Sequence, residues 1–172
     1  MAPCLGYAAF RAAYPRKTRA IPLAVYSLLA VIRVGSAIKV FCKRSLLPTV
    51  ECWNTALKAH GFDLVLDPFD LRTDDCYRPA LWEGEESGFE WYLSDDLTDA
   101  PREILSSADV EASLCFTSQA AEEVVSCVAA AVLAQVTGGY YWDAETEAQT
   151  HQGDAAIAAA RKILQKWRAL DG

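Results

Sequence analysis

A chain of 172 residues, 52% hydrophobic with a mean hydropathy of +0.07, is long enough to bury one core and too apolar to be disordered throughout. Its net charge of −7 conceals a division: residues 1–50 hold eight basic residues and no acid, while residues 51–172 hold the other eight basic residues and all 23 acids, +8 against −15. So acidic a body repels phosphate backbones, which excludes nucleic acid as its partner, and the change of sign near Leu46-Leu47-Pro48 separates it from a basic front.

Residues 1–20 lack helical or strand periodicity and read as a basic, disordered extension. Residues 21–32 are uncharged and apolar, and three readings of them compete. One is an export signal, with Gly35-Ser36-Ala37 as the small-residue cleavage site. One is a membrane anchor, although the run falls short of the ~20 residues that span a bilayer and Arg33 and Lys39 interrupt any extension. One is a first strand, Val25–Val34. The organisation expected is therefore a single α+β domain over 21–172, with 21–41 alternatively a signal or anchor segment. The corresponding location is the cytoplasm, or export or membrane attachment through residues 1–41.

Residues 48–60 predict a helix, because Pro48 suits a first turn and Val50, Trp53, Ala56 and Leu57 recur on one face. Gly61 ends it, and Phe62–Leu66 alternates as a strand. Asp67-Pro68-Phe69-Asp70 opens a loop that runs to Asp75. Pro79–Trp82 and Phe89–Leu93 predict two strands joined by a long turn over residues 83–88. Pro101-Arg102-Glu103-Ile104-Leu105 predicts a short helix.

The most regular stretch is residues 109–143. Val110–Phe116 alternates as a strand, Ser118 can cap the next helix, and Glu122 and Glu123 sit in its first turn, where the helix dipole favours negative charge. Val124–Val136 is apolar almost all round and predicts a buried helix ended by Gly138-Gly139. Tyr140-Tyr141-Trp142 predicts another strand. A polar loop over 143–153 follows, then a last helix, Ala155–Leu170, capped by Asp154, with Ile157, Ala160, Leu164 and Trp167 inward. The order β-α-β-β-β-(short α)-β-α-β-α predicts the α+β class: a single mixed or largely antiparallel sheet with helices packed mainly on one face.

Chemical signatures are sparse. The six cysteines include no Cys-x-x-Cys pair and read as free thiols, which points to a reducing compartment. His60 falls at a helix C-terminus and His151 in a polar loop; a thiol dyad of Cys115 with either histidine is the one nucleophilic arrangement to check. There is no Gly-x-Ser-x-Gly elbow, P-loop, Gly-x-Gly-x-x-Gly fingerprint or zinc-ligand spacing. No cofactor or metal is expected.

What stands out is residues 63–99, with twelve carboxylates against Arg72 and Arg78, a balance of −10. Such a field reaches several kT and speeds association with a basic partner. Aromatic residues lie among the acids. On strand alternation Phe89, Trp91 and Leu93 share one face and belong to the core, while Glu90 and Tyr92 share the other. The expected partner-binding residues are Asp70, Asp74, Asp75, Trp82, Glu83, Glu85, Glu86 and Tyr92, with Trp82 and Tyr92 as aromatic anchors. The expected role is a non-enzymatic protein that neutralises a basic protein partner. The competing readings are a small metal-dependent hydrolase using Asp67, Asp70, Asp74 and Asp75, and a membrane-tethered accessory domain.

The landmarks Ala56-Leu57, Gly61-Phe62-Asp63-Leu64, Asp67-Pro68, Arg78-Pro79, Glu86–Tyr92, Thr137-Gly138-Gly139 and Asp143 resemble small bacterial α+β proteins, among them immunity proteins that neutralise polymorphic toxins. The resemblance covers roughly residues 45–165. It implies a cytoplasmic, non-enzymatic α+β protein and brings with it no functional residues; the basic partner read from the acidic segment would then be a toxin domain.

Overall fold

Seven strands, the longer ones alternating between buried and open positions, assemble into one sheet. The computed structural model describes residues 36–97, 100–117, 119–143 and 150–171. The chain divides at Val34–Gly35, and all of these residues belong to the second unit. In order they form β1 (Ser36–Cys42), a 3-10 turn (Arg44–Leu46), α1 (Val50–Ala59), β2 (Leu64–Leu66), β3 (Cys76–Trp82), β4 (Glu85–Ser94), β5 (Val110–Phe116), α2 (Ala120–Thr137), β6 (Tyr140–Asp143), β7 (Thr150–His151) and α3 (Asp154–Asp171). The sheet runs β2-β3-β4-β5-β1-β6-β7 with every neighbouring pair antiparallel, so the class is α+β. Both edge strands are very short, which blunts edge-to-edge pairing.

β5 and β6 flank β1 and both run antiparallel to it, so α2 crosses over β1 to join them. This is the strand–helix–strand unit predicted for residues 109–143. α2 is buried from Val124 through Ala134 because it lies between the sheet on one side and α1 and α3 on the other. It is long and apolar enough to cross a bilayer, but 72% of it is buried inside the fold, where its apolar surface is already covered. Gly138 closes it in the left-handed conformation, φ 63°. Gln119 is its N-cap, and the Glu122 carboxylate accepts from the Thr117 backbone N–H at 2.9 Å; the expected cap, Ser118, lies outside the described residues.

The main core fills the face covered by the helices. Ile38, Val40, Ala80, Phe89, Trp91, Ala112, Leu114 and Tyr141 point up from the strands to meet Trp53, Leu57, Val128 and Ala160. Trp53 is fully buried, its indole N–H donates to the Ala129 carbonyl at 3.1 Å, and its ring packs 5.9 Å from Trp91 and 6.4 Å from Phe89. Burying a side chain of this size contributes roughly 1.5–3 kcal/mol or more. α1 is capped as its sequence requires, Thr49 Oγ1 accepting from the Cys52 N–H at 3.3 Å.

Several sequence expectations are corrected. β1 is Ser36–Cys42, whereas the expected Val25–Val34 strand lies outside the described residues. Ser36 and Ala37, read as part of a cleavage site, pair with Phe116 and Cys115, so residues 36–41 of the supposed anchor are built into the sheet. β2 is only Leu64–Leu66, and β3 starts at Cys76, with Pro79 in its middle. Proline is tolerated there because the β2 ladder ends opposite Ala80, and past it Pro79 is used through its carbonyl, which accepts from the Asp67 N–H at 3.2 Å. The long turn over 83–88 is a tight two-residue one: Glu83 (φ 51°) and Gly84 (φ 83°) are both left-handed, and β4 begins at Glu85. Residues 101–105 form turns rather than a helix, pinned by Ile104, which is buried against Phe41 and Ala108. The loop over 143–153 contains the two residues of β7, and Asp154 is the first residue of α3, its carboxylate accepting from the Gln135 side-chain amide at 3.2 Å.

Candidate interaction face

Side chains that alternate away from the core meet none of the three described helices. On β4, Phe89 and Trp91 are buried under the helices while Glu90 and Tyr92 are exposed on the other side. Strand register extends this side: Val65 lies opposite Leu81, Leu81 opposite Glu86, Tyr77 opposite Glu90, and Glu90 opposite Cys115. The β2–β4 half of the uncovered face therefore presents Val65, Tyr77, Leu81, Glu86, Glu90 and Tyr92.

Two rings frame Glu90. The Tyr92 hydroxyl donates to Glu90 Oε2 at 2.9 Å, and the residue stays 40% exposed. That hydrogen bond pushes the Tyr92 phenol up to about 12, with burial and the neighbouring negative charges of Glu90, Cys115 and Asp75 adding to it. Tyr77 lies across Gly88: a Cβ there would stand 2.6 Å from the Tyr77 hydroxyl oxygen and 2.7 Å from its ring carbon. Only glycine admits a ring so close to the strand.

The other half of this face is closed. Lys39 Nζ lies 3.0 Å from Glu111 Oε1 and 5.5 Å from the centre of the Trp142 ring, and the Ser113 hydroxyl donates to the same Glu111 oxygen at 2.7 Å. Beside them the connection between β4 and β5 folds Ile104 and Ala108 over Phe41, with Leu97, Ala100, Tyr140 and Trp142 around them. Here the cation is spent on a neighbouring carboxylate; around Tyr92 the charge is negative.

The eight residues singled out in the sequence are divided by this geometry. Trp82 is corrected: it is 3% exposed in the core, because it shares its parity with Ala80 and so turns to the helices. Tyr92 is on the uncovered face, with Asp75 close enough for its charge to act on the phenol. Asp70 and Asp74 organise their own loop. Asp70 Oδ1 accepts from the Arg72 N–H at 2.9 Å, and Asp74 Oδ2 accepts from the Asp70 N–H at 2.9 Å and lies 3.6 Å from Arg78. The Arg72 N–H, with help from the Thr73 hydroxyl, holds the Asp70 carboxyl below the usual range. Glu83 is engaged by Arg168 at 2.5 Å. Glu85 and Glu86 are exposed beside the turn, a whole strand of β3 away from Asp75, or about 20 Å at ~3.3 Å per residue. The acids thus form two groups at opposite ends of the β3–β4 hairpin, with Glu90 between them, rather than one continuous surface.

The catalytic alternatives fare differently. Among the described residues no group of three or more His, Cys, Asp or Glu side chains is placed to hold a metal ion. Asp67 is half-buried and burial raises its carboxyl, whereas Asp70 is lowered, so the four loop aspartates do not share one environment. Cys115 points to the uncovered face and burial raises its thiol, whereas His60 caps α1 on the covered side. His151 lies on β7, three strand positions from β5, about 14 Å at ~4.8 Å per strand. Neither dyad is assembled.

Sequence reasoning left Tyr77 and Glu90 out of the expected partner-binding set. Glu90 was within reach, because the alternation that assigned Phe89 and Trp91 to the core placed it beside Tyr92. Tyr77 needed the true start of β3.

No known protein family, curated protein or solved structure matches this chain.

Proposed function

We propose that this chain is a non-enzymatic binding protein of the cytoplasm that neutralises a basic protein partner, as an immunity protein does with a toxin domain. The observation that supports it is the β2–β4 half of the uncovered face, where Glu86 and Glu90 lie among Tyr77, Tyr92, Val65 and Leu81. A guanidinium or ammonium group gains there from a carboxylate and from the Tyr92 ring at once, and arginine, which stacks and pairs bidentately, gains most. Exposed Val65, at 50%, and Tyr92, at 40%, add apolar area to a surface whose field steers the approach.

The test takes as partners the basic proteins encoded in the immediate neighbourhood of this gene, toxin-type ones first. Association is measured at low and high salt for the wild type and for Glu86→Lys with Glu90→Lys. Binding that falls with salt and is lost in the double variant, while the melting temperature is kept, supports the reading. A partner that binds both proteins equally, or no basic partner among those tested, removes it.

A further inference from the structure

A concavity lies on the covered side of the sheet, away from that face. A cleft of about 610 Å³ opens between the β6–β7 edge and α3, lined by Tyr141, Asp143, His151, Ala155, Ala158, Ala159, Lys162, Ile163 and Lys166. That volume falls in the range of small-molecule sites, roughly 300–1,000 Å³. Its existence follows from α3. One stripe of that helix, Ala156, Ile157, Ala160 and Leu164, is buried in the core. A second stripe, Ala155, Ala158, Ala159, Lys162, Ile163 and Lys166, faces the cleft at spacings of three and four residues. Its three alanines are too short to fill the space, and its two lysines stand one turn apart at the rim.

Aromatic rings form the floor. Tyr141 is 1% exposed, with burial and the neighbouring Cys127 thiol keeping its phenol protonated, and the His151 ring lies 6.1 Å from it. Asp143 is buried at one side and already engaged by other groups. Among the described residues, two ammonium groups at the rim stand over one carboxylate, so the described lining is cationic in a chain whose net charge is −7.

We infer that this cleft binds a small amphiphilic organic anion, its apolar body against Tyr141, Ile163 and the alanines and its charged oxygen atoms on Lys162 and Lys166. The site is independent of the partner-binding face, since α3 packs on the covered side of the sheet.

The probe is 8-anilinonaphthalene-1-sulfonate, with decanoate as a non-aromatic competitor. The expected result is 1:1 binding with enhanced fluorescence, displaced by decanoate. Lys162→Gln with Lys166→Gln should weaken binding roughly tenfold or more, because charge-assisted contacts are lost. Ala158→Leu with Ala159→Leu, which fills the cleft, should abolish it. The control, Lys58→Gln with Arg102→Gln, removes the same charge elsewhere and should leave the affinity unchanged. Circular-dichroism melts establish that each variant is folded. Absence of binding to the wild type, equal affinity in the Lys162/Lys166 variant, or equal weakening in the control overturns the assignment.

Discussion

The two faces of this sheet are written by alternate residues of the same strands, yet they obey different rules. On the covered face Phe89, Trp91, Leu114 and Val40 are excluded from water and their positions are set by packing against α1 and α2. One residue along, Glu90, Tyr92, Ser113 and Lys39 are placed by the same backbone, but nothing in the core dictates what they are. Lys39, Ser113 and Glu111 satisfy one another; Glu90 and Tyr92 pair beside Asp75 with no lysine or arginine of their own strand nearby. Burial dominates the covered face and the Phe41–Ile104 cluster, while Glu90 and Tyr92 in the β2–β4 half of the other face stay exposed.

Substitutions can break that contrast, and the largest effect belongs on the covered face. Trp53→Ala removes the indole between Trp91, Phe89 and the Ala129 carbonyl and should cost about 3–5 kcal/mol, read as a lowered denaturant midpoint. Gly88→Ala tests whether the uncovered face is also packed where Tyr77 lies on the strand. The added Cβ meets the Tyr77 ring and the Arg78 carbonyl, and a loss of about 1–3 kcal/mol is expected in the same assay. Glu90→Lys, by contrast, should change stability by no more than about 0.5 kcal/mol and slow association with a basic partner by roughly tenfold or more at low salt, measured by stopped flow. Equal damage to folding from Glu90→Lys and Trp53→Ala would erase the distinction.

Smaller effects sharpen it. The Tyr92 phenol, followed by phenolate absorbance, should titrate near 12 and fall toward the ordinary 10.0 in Glu90→Gln. A value raised by folding stabilises below the unfolded pKa, so this contribution is complete below pH 10 and is lost as pH rises toward about 12. Smallest of all is Arg168→Ala. Arg168 and Glu83 are both exposed, so breaking the pair should cost under about 1 kcal/mol in a urea titration.

The sequence by itself determined the class and much of the layering. A helix apolar all round had to be buried, the alternation of Val110–Phe116 had to give a strand with one face inward, and the parity of Phe89 and Trp91 had to send Glu90 and Tyr92 outward. These follow from local period alone. The central place of β1, the tight Glu83-Gly84 turn and the two-residue β7 depended on which strands find each other, and no local pattern encodes that. Trp82 shows the limit: an aromatic residue among acids looks like an anchor until the pairing of β3 turns it to the helices. Composition counted twelve carboxylates between residues 63 and 99, but only the folded hairpin decided that Glu83, Glu85 and Glu86 stand at one end of it, Asp74 and Asp75 at the other, and Glu90 between them. Charge is a property of the chain, whereas the field it makes is a property of where the strands put it.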